Sequence, residues 1–301
     1  MIYDRIEELK KNQDAVILAH YYVDREIQNI ADYVGDSFYL AQIAEKLNSK
    51  TIIVAGVYFM AESVKILNHD KTVRLVDNMA DCPMAHMVSI EKINEVRSKY
   101  NDLVVVCYIN STAEIKAHSD VCVTSSNAVK IVSQLKEKNI FFVPDGNLGR
   151  YVSEFVKEKN IILNDGYCPV HNKVDRNELE NLKRKFKQAK VLSHPECKEE
   201  ILKLSDYVGS TKGIIEQVEK YGDCKEFIIV TERGISSELS KKYPDKKFYY
   251  LSNIMCKDMK SLTLEKLENT MKNKENEIFV NKDTAKKALI SLERMLKLGV
   301  R

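Results

Sequence analysis

Three cysteines in this sequence are almost evenly spaced and could bind a metal centre together. Cys82 and Cys168 are 86 residues apart, and Cys168 and Cys256 are 88 residues apart. Thiolates suit a soft metal or an iron–sulfur cluster better than oxygen-preferring Mg²⁺ or Ca²⁺. Three ligands leave one position open, as catalytic metal sites do and structural sites do not. The alternative is that these are buried apolar thiols, which are common in intracellular proteins.

The middle cysteine lies in a segment that also carries a histidine. Residues 164–171 follow the apolar run 161–163 and contain Gly and Pro, which predicts a loop leaving a buried strand. Cys168 and His171 both belong to this loop, although one Cys near one His is more often packing than chemistry. His171 has no counterpart at the matching position beside the other two cysteines, so we expect it to contact substrate.

Three pairs of polar residues recur with a similar period and could transfer protons. They are His20 with Tyr22, Tyr108 with Asn110, and His194 with Glu196. The first members of the pairs are 88 and 86 residues apart. Residues two apart on an extended backbone point to the same face, and His and Glu can act as acids or bases near neutral pH. The alternative is that polar residues at strand ends merely meet solvent.

Three predicted helix starts could bind anions. Asp36 with Ser37, Ser125 with Ser126, and Ser210 with Thr211 each precede a stretch with helical spacing. The free N–H groups and the dipole of a helix N-terminus favour phosphate or carboxylate. Each pair taken singly is an ordinary helix cap.

The elements that must position these residues are short apolar strands alternating with helices. Residues 15–19, 103–107 and 191–193 are apolar runs that suit strands buried on both faces. Further runs are predicted as strands at residues 51–56, 73–76, 121–123, 140–143, 161–163, 227–230 and 248–251. Strands that alternate with helices indicate an α/β fold with parallel sheets.

The two sets of periodic landmarks predict three repeated α/β/α sandwich units with short parallel sheets around a pseudo-threefold axis. The predicted units are residues 1–85, 86–172 and 173–257, followed by a C-terminal helical tail at 258–301. Ligands of open α/β sheets collect beyond the carboxyl ends of the strands. Equivalent loops of the three units are therefore expected to converge on one pocket and to bring the three cysteines together.

Composition limits the remaining function classes. The chain has 301 residues, enough for two or three compact units, and its net charge of +3 gives no electrostatic footprint for nucleic acid. No apolar run reaches about 18 residues, and the N-terminus lacks a signal-peptide pattern, so we expect a cytoplasmic protein that does not span a membrane. No CxxC pair occurs, which argues against a zinc ribbon. Cys107 and Cys122 lie inside apolar runs, and Cys197 and Cys224 have no assigned role.

Several longer motifs carry a family resemblance. They are AHYY at 19–22, EIQ at 26–28, GDS at 35–37, YIN at 108–110, TSSNA at 124–128, GYCPVH at 166–171, HPEC at 194–197 and GST at 209–211. In combination they are highly specific, and along essentially its whole length the chain resembles the quinolinate synthases, enzymes of NAD biosynthesis. One departure is Tyr167, where the family usually has Trp, and the aromatic ring is retained.

The resemblance implies a cofactor, a reaction and a partner. A [4Fe-4S] cluster would be held by Cys82, Cys168 and Cys256, with the fourth iron open to substrate as a Lewis acid. The enzyme would condense iminoaspartate with dihydroxyacetone phosphate to quinolinate, with loss of phosphate and two waters. An aspartate oxidase is expected to supply the unstable iminoaspartate.

The resemblance also implies roles for individual residues. It selects Tyr22 rather than Tyr21, and Ser125 rather than Ser126. The implied catalytic residues are Tyr22 and Glu196 for proton transfer, His20 and His194 in support, and Tyr108 near substrate and cluster. The implied substrate-binding residues are His20, Asp36, Ser37, Tyr108, Asn110, Ser125, His171, His194, Glu196 and Thr211.

Two other functions would use the same cysteines. A metal or redox sensor would need the three thiolates but not the polar pairs at the strand ends. A zinc-dependent lyase would use the same fold and the same ligands with a different metal. Metal content and the effect of replacing Glu196 distinguish these hypotheses from the first.

Overall fold

Three separate parallel sheets form the framework of the molecule. In the computed structural model, which describes residues 1–299, each sheet contains four strands. The four strands of each sheet are consecutive in the chain. Numbered along the chain within their own unit, they lie across every sheet in the order second, first, third, fourth. The predicted α/β class with three repeated units of short parallel sheet is therefore confirmed.

The strands are short, as the apolar runs predicted. The first sheet contains β1 (Ala15–His20), β2 (Tyr33–Gly35), β3 (Thr51–Ala55) and β4 (Thr72–Leu75). The second contains β5 (Leu103–Tyr108), β6 (Val121–Val123), β7 (Asn139–Val143) and β8 (Asn160–Leu163). The third contains β9 (Lys190–Ser193), β10 (Tyr207–Val208), β11 (Glu226–Val230) and β12 (Lys247–Tyr250).

Helices connect the strands and cover the sheets. The first unit has α1 (Ile2–Gln13), α2 (Arg25–Ile30), α3 (Ser37–Lys46) and α4 (Tyr58–Leu67). The second has α5 (Ile90–Lys99), α6 (Ala113–Ala117), α7 (Ala128–Gln134) and α8 (Gly146–Ser153). The third has α9 (Arg176–Lys185), α10 (Glu199–Leu202), α11 (Thr211–Lys220) and α12 (Ser236–Lys242), and α13 (Lys257–Lys260), α14 (Leu264–Asn273) and α15 (Lys282–Gly299) follow. Single turns of 3-10 helix lie at Pro83–His86, His171–Lys173 and Arg233–Ile235.

The first strand of each unit is central in its sheet. β1 pairs in parallel with β2 on one side and with β3 on the other, and β5 and β9 are placed in the same way. The interior of these strands is buried on both faces, as continuous apolar runs require. His20 and Tyr108 end β1 and β5, and His194 follows β9. These three side chains therefore start at the middle of each carboxyl edge.

The hydrophobic core is divided unequally among the units. One continuous cluster of buried residues spans the first unit, the second unit and the C-terminal helices. The third sheet is covered by two separate clusters, one on each face. Of the predicted tail at residues 258–301, the final two residues lie outside the described part of the chain. Within residues 1–299, no helix is both long enough and apolar enough to cross a membrane.

The burial of individual isoleucines predicts how much each contributes to the free energy of unfolding. Ile53 in β3 has no exposed surface, so Ile53→Ala should lower the free energy of unfolding by about 2–5 kcal/mol, from lost burial and the cavity left behind. Ile290 on α15 is 65% exposed, and Ile290→Ala should change the same quantity by no more than about 0.5 kcal/mol. Urea denaturation followed by circular dichroism measures both. Equal losses in the two variants would contradict this placement of the core.

Candidate active site

One cavity of about 570 Å³ gathers the fourteen residues to which the family resemblance assigns a role. They are His20, Tyr22, Asp36, Ser37, Cys82, Tyr108, Asn110, Ser125, Cys168, His171, His194, Glu196, Thr211 and Cys256. Every unit contributes to the wall of this cavity. Tyr21 and Ser126, which the sequence left as alternatives, are not among the residues that line it.

The three cysteines occupy equivalent loops, each after the last strand of its unit. All seven cysteines of the chain are free thiols. Burial raises the pKa of Cys82, and the nearby Glu196 and Cys256 raise it further. Burial also raises the pKa of Cys168 well above its ordinary value, with Glu196 and Cys82 adding to the effect. Burial raises the pKa of Cys256 to about 11. Cys82 is thus close enough to both Cys168 and Cys256 for their charges to interact.

The spacing of the three sulfur atoms limits what they could bind. Within residues 1–299, the group of metal-binding side chains whose ligand atoms all lie within 4.8 Å of one another is Cys168, His171 and Glu196, and the three cysteines do not meet this limit. Two sulfurs on one zinc ion are at most about 4.6 Å apart, twice the Zn–S bond length. In this arrangement at least one pair of the three sulfurs is therefore farther apart than two sulfurs on one zinc ion.

Carboxylates face the backbone N–H groups of the cysteines, and those of Asp145 and Glu232 are buried. The N–H of Cys82 donates to Asp81 at 2.7 Å, and that of Cys256 donates to Glu232 at 3.2 Å. The N–H of Cys168 lies beside the carboxylate of Asp145, which is fully buried. Sequence reasoning missed these residues. Asp145 and Glu232 are 87 residues apart, within the range of the repeat period, and this spacing was the available signal.

The polar pairs at the strand ends are positioned by turns. β1 ends at His20, and the backbone N–H of Tyr22 donates to Nδ1 of His20 at 3.2 Å. β9 ends before His194, and the N–H of Glu196 approaches Nδ1 of His194 in the same way, at 3.4 Å. The expectation of an extended backbone through these pairs was wrong. Both members still line the cavity, because the turn folds them toward it.

A buried hydrogen-bond network joins the third unit to the other two. The hydroxyl of Tyr22 lies 2.7 Å from Oγ1 of Thr211 and 2.8 Å from Oγ1 of Thr231. Nε2 of His171 lies 3.0 Å from the same Thr231 oxygen. A Cβ added at Gly234 would come within 2.5 Å of the Tyr22 backbone, so this close approach requires glycine. Thr231 was not predicted, since a lone threonine after a strand has no distinctive pattern.

Two of the histidines are held in the neutral form. Burial lowers the pKa of His20 to about 4 and that of His194 to about 3, although the nearby Glu196 opposes both shifts. Burial would raise the pKa of Glu196, but His194 and His171 beside it hold that pKa to about 2. His194 is neutral at pH 7. We therefore attribute the lowered pKa of Glu196 mainly to the 2.6 Å contact between its carboxylate and Nδ1 of His171.

The two tyrosines keep their protons. Burial raises the pKa of Tyr22 and of Tyr108 well above the ordinary value, and the nearby Glu196 raises both further. The cavity therefore brings two protonated phenols and the two neutral imidazoles of His20 and His194 together with the ionised carboxylate of Glu196. Such a set can donate and accept protons on substrate atoms without a change in its own net charge.

The helix starts agree with the prediction in two units. Asp36 caps α3 by accepting from the N–H of Tyr39 at 2.9 Å, and Ser210 caps α11 by accepting from Gly213 at 3.1 Å. In the second unit the prediction was wrong, because α7 begins at Ala128 and Asn127 occupies the cap position. Ser125 instead contacts Nε2 of His194 at 3.2 Å.

One amide in the cavity wall lacks a partner. Oδ1 of Asn110 is buried without a hydrogen bond among the described residues. A buried polar atom without a partner costs about 1–3 kcal/mol. Because Asn110 lines the cavity, a bound ligand could satisfy this atom.

These features define a three-unit α/β enzyme whose acid–base groups and cysteines share one cavity. The family model described as quinolinate synthetase A protein matches residues 4–297. The chain belongs to the quinolinate synthase family, as its motifs predicted, and the expectation of an enzyme is confirmed.

Similar proteins cover nearly the whole chain. Quinolinate synthase of Fusobacterium nucleatum is 64% identical over 296 residues, which are 98% of this chain and 99% of that protein. Quinolinate synthase of Clostridioides difficile is 50% identical over 98% of this chain and 97% of its own. Quinolinate synthase 2 of Methanosarcina acetivorans is 42% identical over 99% of this chain and 96% of its own.

The neutral state of His20 predicts a pH-dependent stability. The pKa of His20 is lowered to about 4, so below pH 6.5 the unfolded chain binds a proton that the folded chain does not. The free energy of unfolding should therefore fall as the pH drops from 8 to 5, with about 2 kcal/mol of the loss due to His20. Urea denaturation at each pH measures it.

The matched variants are His20→Gln and His69→Gln, since His69 is exposed. His20→Gln should remove about 2 kcal/mol of the pH dependence, whereas His69→Gln should leave it unchanged. The same pH dependence in both variants would refute the neutral state assigned to His20.

Proposed function

We propose that this enzyme condenses iminoaspartate with dihydroxyacetone phosphate to form quinolinate, with loss of phosphate and two waters, in de novo NAD biosynthesis. The observation that carries the proposal is the convergence of all fourteen candidate residues on one cavity in a member of the quinolinate synthase family. A cavity of about 570 Å³ is in the range of small-molecule sites.

The proposed cofactor is a [4Fe-4S] cluster held by Cys82, Cys168 and Cys256. The donor set fits this group: three free thiols line one cavity, and at least one pair of their sulfurs lies more than 4.8 Å apart, farther than two sulfurs on one zinc ion. Metal binding would also overcome the raised pKa values, since a coordinated thiol loses its proton. When bound, the cluster would supply a Lewis-acidic iron with an open position.

Proton transfers are assigned to Glu196 and Tyr22. Loss of water from a condensed intermediate requires a base for a proton on carbon and an acid for the departing hydroxyl. Glu196 is ionised and so can accept a proton, while Tyr22 keeps its proton and so can donate one. His20 and His194 are neutral, so their proposed role is to donate and accept hydrogen bonds that orient the substrate. Tyr108 is assigned to direct substrate contact.

Binding of the anionic groups is assigned to fixed hydrogen-bond donors. The proposed contacts to carboxylates and phosphate are Ser37, Asn110, Ser125, His171 and Thr211. Ser37 and Thr211 are the first residues of α3 and α11, where free N–H groups attract anions. Asp36 is assigned a positioning role, because its carboxylate caps α3.

The substrate chemistry implies a functional partner. Iminoaspartate is an unstable imine that hydrolyses in water, so a second enzyme must produce it close to the time of use. We assign this supply to an aspartate oxidase. No contact surface for such a partner is proposed.

Substitution of single cysteines should distinguish the three proposed cluster ligands from the other cysteines of the chain. Cys168→Ala should abolish both the iron–sulfur absorption and the activity, because one of three proposed ligands is lost. Cys224→Ala should preserve both, since Cys224 does not line the cavity. Iron and sulfide analysis of anaerobically purified protein provides the measurement. A normal cluster in Cys168→Ala, or stoichiometric zinc without iron in the unaltered protein, would disprove the cofactor assignment.

The reaction can be tested with the reconstituted enzyme. Oxaloacetate and ammonia generate iminoaspartate, and with dihydroxyacetone phosphate they should give quinolinate, detected by chromatography. Glu196→Gln should lower kcat by about 10²–10⁴-fold, the usual effect of a lost general base. Glu158→Gln, at an exposed position, should leave kcat unchanged. Absence of quinolinate with an intact cluster would refute the proposed reaction, and full activity of Glu196→Gln would refute the role of Glu196.

A further inference from the structure

We propose that Cys168, His171 and Glu196 form a second metal site, which binds one divalent transition-metal ion such as Zn²⁺ in a chain that lacks the cluster. The site uses only one of the three cysteines assigned to the cluster. It concerns metal affinity alone, so it does not depend on the reaction proposed above.

The three ligand atoms already lie close enough for one ion. They fall within 4.8 Å of one another, with Nδ1 of His171 at 3.2 Å from the Cys168 sulfur and 2.6 Å from Oε2 of Glu196. Ligands around a tetrahedral zinc ion are about 3.3–3.6 Å apart, as follows from bond lengths of about 2.0–2.3 Å. The first distance needs to widen by about 0.3–0.4 Å and the second by about 0.7 Å.

The donor types select the class of metal. One thiol sulfur, one imidazole nitrogen and one carboxylate oxygen suit Zn²⁺, Co²⁺ or Fe²⁺ better than Mg²⁺ or Ca²⁺. His171 and Glu196 are almost fully buried, at 1% and 3% exposure, so the ligands are shielded from solvent. Three protein ligands leave a fourth position open toward the cavity.

Neighbouring groups hold the ligands in place. Nε2 of His171, on the far side of the ring, lies 3.0 Å from Oγ1 of Thr231. Such an outer hydrogen bond fixes the ring orientation of a metal-binding histidine. The ring of His171 also stacks on that of His194 at 4.6 Å, and Nδ1 of His194 lies 3.4 Å from Oε2 of Glu196. The ligands are thus arranged before a metal arrives.

The donor atoms are placed to face one cation. Nδ1 of His171 and Oε2 of Glu196 are buried and lie 2.6 Å apart. When a divalent ion binds, the thiol proton of Cys168 leaves to solvent, and Nδ1 of His171 binds through its lone pair with the ring proton on Nε2, toward Oγ1 of Thr231. No change in oxidation state is involved.

Occupation of this site excludes the cluster. Both centres need the sulfur of Cys168, and the three cysteine sulfurs are too widely spaced to bind the same single ion. A zinc ion would also engage Glu196. Zinc-loaded chains should therefore resist cluster assembly until a chelator removes the ion.

Cobalt provides a direct probe. The full-length variant with Cys82→Ser and Cys256→Ser lacks two of the cluster ligands but retains the proposed site. Anaerobic titration with Co²⁺ should bind one ion per chain and produce a thiolate-to-cobalt charge-transfer band. Adding Cys168→Ser should abolish the band, and adding Thr231→Val should weaken affinity by about 10–100-fold. Adding Cys224→Ser, outside the cavity, should change neither.

Each outcome bears on the proposal. Absence of Co²⁺ binding in the variant with Cys82→Ser and Cys256→Ser would overturn the proposal. A charge-transfer band that persists after Cys168→Ser is added would also overturn it. Circular dichroism checks that each variant is folded. X-ray absorption of unaltered, cluster-free protein loaded with one Zn²⁺ needs no substitution: one sulfur with nitrogen and oxygen neighbours supports the site, and three sulfurs overturn it.

Discussion

The contact between Glu196 and His171 is the constraint on which the site depends. A carboxylate that is 3% exposed must be compensated, and Nδ1 of His171 at 2.6 Å provides the compensation. Loss of the partner of a buried carboxylate commonly costs about 3–5 kcal/mol, because the carboxylate is left without compensation. The same imidazole contacts the Cys168 sulfur and, through Thr231, the hydroxyl of Tyr22. One ring therefore links a proposed cluster ligand, a proposed base and a proposed acid.

The threefold repeat supplies equivalent positions, and the chemistry arises from differences among them. Asp145 and Glu232 occupy matching positions after β7 and β11, where each faces the N–H of the cysteine in its own unit. The matching residue of the first unit, Val57, is apolar, and there Asp81 accepts from the N–H of Cys82. A carboxylate therefore accepts from the cysteine N–H in all three units, but in the first unit this carboxylate comes from a different position in the chain. Divergence of this kind leaves the sheets unchanged while each corner of the cavity acquires its own side chains.

Sequence patterns predicted the central strands and the convergence of equivalent loops on one pocket, but not the local geometry of that pocket. β1 and β5 were visible as continuous apolar runs because both faces are buried. The two short edge strands β2 and β10 were not predicted, since two or three residues show no periodicity and become strands only by pairing with β1 and β9. The turn after His20 was missed because the local hydrogen bond from the N–H of Tyr22 to Nδ1 of His20 has no distinctive sequence pattern. The role of Thr231 was missed because it depends on contacts with Tyr22 and His171 of the other two units.

The electrostatics of the cavity restrict how an anionic substrate could be bound. His20 and His194 are neutral at pH 7 and Glu196 is negative, so these side chains provide no positive charge. Lys173 and Lys257 line the cavity but are exposed, where solvent screens their charges. Compensation for substrate carboxylates and phosphate would therefore come from the N-termini of α3 and α11 and from hydroxyl and amide donors. Such donors point in fixed directions, so they select a substrate by the positions of its oxygens more than by its total charge.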